Sequence, residues 1–144
     1  MNATTRALFL CVSATALGLP IAASAADSAT MTRDQYEAAK DAVDTRYKAA
    51  KQKCDGLSGN PHEVCEEEAE GQHKVDKAEL EYKRSGKPED ARKIEEARAE
   101  AAYEVAEERC DEKTGNAKDV CIADAKAAQA KAKADIKASA VPTR

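Results

Sequence analysis

Tyr47 to Ala69 reads YKAAKQKCDGLSGNPHEVCEEEA, and 56 residues later Tyr103 to Ala125 reads YEVAEERCDEKTGNAKDVCIADA. The shared kernel is Y-x2-A-x3-C-D-x3-G-N-x3-V-C-x3-A. Lys77 on Lys133 and Ala78 on Ala134 extend it, giving eleven identities over the 34 positions from Tyr47 to Leu80. A gapless duplication of this size marks one repeated supersecondary element. Ahead of the first kernel, Tyr36, Ala39, Val43, Tyr47, Ala50, Cys54 and Leu57 recur every three or four residues. That spacing is the apolar stripe of an amphipathic helix, with Cys54 inside it. Gly59-Asn60-Pro61-His62-Glu63 then reads as a stop and a restart: Gly for the helix exit, Asn as the next N-cap, Pro as the first helical residue and Glu63 closing a capping box. Gly115-Asn116-Ala117-Lys118-Asp119 keeps the Gly, the Asn and the acid.

Each kernel therefore predicts an antiparallel helical hairpin, with one cysteine about a turn before the bend and the other about a turn after it. Those positions face one another, so the expected disulfides are Cys54–Cys65 and Cys110–Cys121, each stapling its own bend. Four cysteines allow three connectivities, and this choice makes the hairpins independent covalent units. Ser85-Gly86-Lys87-Pro88 is the break between them. The expected helices lie near 31–57, 61–84, 88–113 and 117–138. The fold class is all-α: two tandem disulfide-stapled hairpins of coiled-coil-like helices, the first over 27–87 and the second over 88–144.

The segment before them reads as a cleavable signal peptide over 1–26. Arg6 precedes an apolar run from Ala7 to Leu19, Pro20 breaks it, and Ala23-Ser24-Ala25 fits the A-x-A cleavage rule. Thirteen apolar residues fall short of the roughly 20 that a membrane-spanning helix needs. Cys11 departs with this segment and leaves four cysteines, an even number suited to an oxidising compartment. The expected location is the periplasm of a Gram-negative bacterium, or outside the cell.

Composition narrows the classes further. From Asp27 onward there are eleven Leu, Ile, Val and Phe residues against 24 alanines, and charged residues make up 35% of the chain. So few large side chains exclude a large enclosed active site, a parallel sheet or a haem-sized pocket. Near-balanced charge, 23 bases against 27 acids, distinguishes the chain from a typical disordered one and excludes a strongly basic nucleic-acid binder. Helix charges of +1, −4, −6 and +2 pair an acidic helix with a basic one in each hairpin. The third helix carries apolar residues on opposite faces, Ala99, Tyr103, Ala106 and Cys110 on one and Ile94, Ala97, Ala101 and Val105 on the other. Its second face has to meet the other hairpin, a second copy or a partner.

Chemistry is sparse. C-x10-C lacks the tight knuckle of a structural zinc site, and no C-x-x-C supports thiol exchange. His62 with Glu66 one turn on is the weak candidate for a surface metal site. No Ser–His–Asp set or glycine-rich phosphate loop is present, so neither catalysis nor a cofactor is expected. The Y-x2-A-x3-C-D…S-G-N-x3-V-C-x3-A unit behind a signal segment resembles a group of small Ala-rich exported proteobacterial proteins, some labelled TolA-like cell-envelope biogenesis proteins. The resemblance covers essentially the whole mature chain and implies an envelope location. TolA-type proteins keep an N-terminal anchor and a long helical spacer, which this chain replaces with a cleavable signal and stapled hairpins, so a force-transducing role does not carry over. The expectation is a non-enzymatic exported helical protein, an envelope-associated interaction or structural module working through a protein partner or self-association. The alternative is a periplasmic metal-binding or metal-stress protein.

Overall fold

The computed structural model describes residues 31–139; the signal segment expected over 1–26 and the last five residues lie outside them. The described residues form four helices: α1 Arg33–Cys54, α2 Asn60–Ser85, α3 Pro88–Cys110 and α4 Asn116–Ser139. Thr32 starts α1 with a reciprocal capping box. Its hydroxyl accepts from the Gln35 amide at 3.2 Å, and the Gln35 side chain accepts from the Thr32 amide at 2.9 Å. Gly86, at φ 64°, ends α2 by donating its N–H to the Tyr82 carbonyl, and Pro88 opens α3. Buried Asp90 secures that turn, accepting from Ser85 and pairing with Lys93 at 2.7 Å.

α1 and α3 end on Cys54 and Cys110, about one turn earlier than the sequence stripe predicts. A disulfide partner 5.6 or 5.7 Å away, Cα to Cα, turns the chain back at the cysteine itself. Leu57, read as the last apolar residue of the first helix, lies in the bend and is 46% exposed.

The helices lie side by side in one antiparallel layer. α2 packs on α1 and α3, and α3 packs on α2 and α4, while α1 approaches neither α3 nor α4. The two apolar faces of α3 thus have their explanation: one meets α4, and the face with Ala101 meets α2. The layer holds because α2 also carries two seams. Cys65, Ala69 and Leu80 face α1, where Val43 is buried, and the opposite face brings Gly71 and Val75 to α3. The α2–α3 approach is close enough to require glycine, since a Cβ on Gly71 would sit 2.6 Å from the Ala101 Cβ. Three ion pairs bridge these two acidic helices: Lys74–Glu104 at 2.8 Å, Arg98–Glu79 at 2.9 Å, and Arg109–Glu68.

Packing is thin. Of the ten large aliphatic residues among those described, Val43, Val75, Leu80 and Ile94 are buried, joined by Ala69, Ala99, Ala125 and two cysteines. With so little apolar area removed from water, constraint of the unfolded chain carries unusual weight.

Candidate functional site

The predicted cysteines pair as expected, Cys54 with Cys65 and Cys110 with Cys121. Cys54 and Cys110 are completely buried where α1 and α3 end. Gly59 (φ 63°) and Gly115 (φ 55°) occupy the left-handed backbone region that makes each bend, a conformation costly for a residue with a Cβ. The carbonyl of Gly59 accepts from the His62 and Glu63 amides, and that of Gly115 from the Lys118 and Asp119 amides.

The asparagines differ from the sequence reading. Gly59 takes the N-cap position without a side-chain cap, and Asn60 is already helical. Its side chain reaches across to α3, where Nδ2 donates to the Glu108 carbonyl at 2.6 Å. The Glu108 carbonyl, in the last turn of α3, already accepts from the Asp111 amide at 3.0 Å, and the bend brings Asn60 to the same oxygen as a second donor. Asn60 Oδ1 is buried without a hydrogen-bond partner. Asn116 likewise stands as the first residue of α4.

Glu63 and Glu108 meet beside this joint. Partial burial and then the neighbouring Glu63 hold the Glu108 carboxyl above its ordinary range. A second polar cluster sits in the α1–α2 seam. The Tyr47 and His73 rings stack with centroids 4.4 Å apart and planes 7° from parallel, and His73 Nε2 lies 2.9 Å from Asp44. The hydrogen bond from His73 holds the Asp44 carboxyl below its usual range. Arg46 bonds Asp76 at 2.8 Å on the same seam, and Tyr36 bonds Glu81 near its far end. The sequence places His73 eleven residues from His62, too far along one helix for the two to share an ion, and gives it no seam role, although it follows Ala69 by four residues on the seam of Cys65, Ala69 and Leu80. Asn60 and Gly71 were missed as seam residues because their partners, Glu108 and Ala101, are distant in the chain.

The metal candidates do not assemble into a site. Glu66 bonds Lys51 at 2.6 Å, and that bond holds its carboxyl below the ordinary range; His62 stands 4.0 Å away. Among the described residues no three His, Cys, Asp or Glu side chains gather in a metal-binding arrangement. None of the described helices is long and apolar enough to cross a membrane.

The surface is grooved along its helix junctions. One groove of about 560 Å³ lies beside the first turns of α4, lined by Asn116, Ala117, Val120, Cys121 and Asp124 with Lys113. Another of about 500 Å³ lies between the far ends of α3 and α4, among Arg92, Glu96, Glu100, Lys133 and Ile136. The arrangement offers long, mixed-charge helix surfaces with small apolar residues between the charges.

Comparison of the chain with protein-family models, with curated proteins and with solved structures finds no match.

Proposed function

We propose that the chain is an exported, non-enzymatic helical module of the bacterial envelope, acting by binding a protein partner or its own kind. The observation that carries this reading is the open layer. Each helix packs only on its neighbours in the chain, so α1 and α4 present outward faces along their whole length. Small-molecule chemistry is usually housed in concave, enclosed pockets, whereas long exposed helix faces suit recognition of another helix.

Export fits the two disulfides, which persist in oxidising compartments and are rare in reducing ones. It also fits the apolar leader and the resemblance to exported envelope proteins. Expression with and without residues 1–26, followed by fractionation and mass measurement, tests location. The expected outcome is a periplasmic product cut after Ala25 or Ala26 with no free thiol; an uncut cytosolic product of the full chain, with all five cysteines as free thiols, contradicts it. Crosslinking in intact cells, with identification of what is trapped, tests the interaction role. Envelope proteins or further copies of the chain should be recovered, and recovery of neither would remove it.

A further inference from the structure

The two repeats differ in which of their faces are covered. A shift of 56 residues places α2 on α4 and α3 on α1. The α2 face that packs on α3 includes Asn60, Val64, Gly71 and Ala78; the same positions in α4 are Asn116, Val120, Ala127 and Ala134. On α2, Gly71 is buried and the others half-buried; on α4 all four are exposed, Val120 at 52%. With Ala123 and Ala130 added, this face forms an unbroken apolar stripe directly opposite the α4 residues packed on α3, such as Ala125 and Ile136. The converse holds for α1. Ala101 and Val105 of α3 face α2, and their equivalents Thr45 and Ala49 stand exposed on the outer side of α1. The layer thus ends at each edge in the half of a seam that it completes once internally.

We infer that the chain associates head to tail with further copies of itself. The outer face of α4 in one copy packs antiparallel on the outer face of α1 in the next, as α2 packs on α3 within each copy. This continues the alternation of helix direction, and charge agrees with it. The internal Arg109–Glu68 pair has Lys53 and Asp124 as its equivalents, opposite in charge and both exposed. Antiparallel alignment also sets the acidic start of α1, with Asp34, Glu37 and Asp41, near the exposed Lys131 of α4. Two of the three internal bridges are not reproduced: Lys74–Glu104 becomes Ala130 and Lys48, and Arg98–Glu79 becomes Ala42 and Asp135. The closest approach changes as well: Ala127 and Thr45 replace Gly71 and Ala101, so the seam between copies is wider and weaker than the one inside. A head-to-tail interface without closing symmetry propagates into an open array.

The inference deepens the interaction role proposed above by naming a second copy as the occupant. It is tested on the mature, oxidised chain. Mass by sedimentation or light scattering should rise continuously over about two decades of concentration, without a plateau at the dimer. Ala127→Glu should hold the chain monomeric with its helix content unchanged. Single-site Thr45→Cys and Ala127→Cys proteins, mixed under a mild oxidant, should give a mixed disulfide dimer, and Ala127→Cys alone should give none. Efficient linkage of Ala127→Cys to itself would show a two-fold α4–α4 pairing and overturn the head-to-tail arrangement. A monomer at every concentration, with no mixed disulfide, would overturn self-association altogether. If that monomer still trapped foreign envelope proteins in cells, the interaction role would stand without it.

Discussion

The first hairpin and the second are copies of one sequence unit, yet the helix after the bend sits in two different environments. α2 is packed on both sides, by α1 and α3, and contributes four buried residues: Ala69, Gly71, Val75 and Leu80. α4 is packed on one side and contributes one, Ala125. The substitutions between the copies follow that difference. Where α2 has Gly71 to admit Ala101, α4 has Ala127; where α2 carries Lys74 for Glu104, α4 has Ala130. The first hairpin also has His73 stacked on Tyr47, and the second carries Gln129 and Tyr103 at the equivalent sequence positions. Duplication preserved the bends and staples, while the seams diverged according to what covers them.

The largest effect expected of any change falls on what the copies share. Each disulfide closes a 12-residue loop, worth about 3 kcal/mol in the chain-entropy model. Reduction, or Cys54→Ser with Cys110→Ser, should sharply lower the melting temperature and broaden the transition while much of the helix signal persists. An unchanged, equally sharp melt would place the stability in packing instead. Proteolysis near Lys83 to Lys87, followed by denaturation without reductant, should separate two fragments. Fragments still joined at that stage would contradict the pairing within each hairpin.

Next comes the seam that only α2 possesses. Gly71→Ala gains about 1 kcal/mol of helix propensity but forces two Cβ atoms together. Overpacking of this kind costs about 1–3 kcal/mol, so the variant should be less stable by chemical denaturation. Ala101→Gly introduced beside it should recover part of the loss, a coupling that a general helix effect would lack.

Smaller effects attach to the polar contacts. His73→Gln, which installs the residue of the second copy, removes a ring stack and a charge-assisted bond, about 0.5–1.5 kcal/mol for the stack. Asp44 is held below its ordinary range chiefly by His73. Its contribution is therefore present above about pH 4 and lost as pH falls through the folded value. The variant should be the weaker protein at pH 6–7, and the gap between the two stability curves should narrow as Asp44 protonates, leaving the share that belongs to the ring stack. Glu108 has the opposite sign. Its raised carboxyl stabilises the fold below about pH 4 and costs stability once it is ionised. Glu108→Gln, matching Gln52 of the first copy, should raise the melting temperature by about 2 °C at pH 7, with the gain gone near pH 4.

Much of this fold was legible from the chain. The four helices, the bends at Gly59 and Gly115, both disulfide pairings and the two faces of α3 all follow from local periodicity and from the copy beside it. What escaped depends on which helix meets which. Asn60 has the composition of a cap, and only the proximity of Glu108 makes it a crosslink between helices. Gly71 has no turn to explain it, and its purpose appears only with Ala101 opposite. The outward stripe of α4 reads as ordinary Ala-rich helix until the equivalent positions of α2 are seen to be covered.

Hydrogen exchange at single-residue resolution on the dilute, oxidised mature chain tests that contrast most directly. Amides of α2 between Ala69 and Leu80 should exchange at least about tenfold more slowly than those of α4 between Ala125 and Ile136, because opening α2 disrupts two seams and opening α4 only one. Equal protection of the two segments at concentrations where the chain is monomeric would contradict the account.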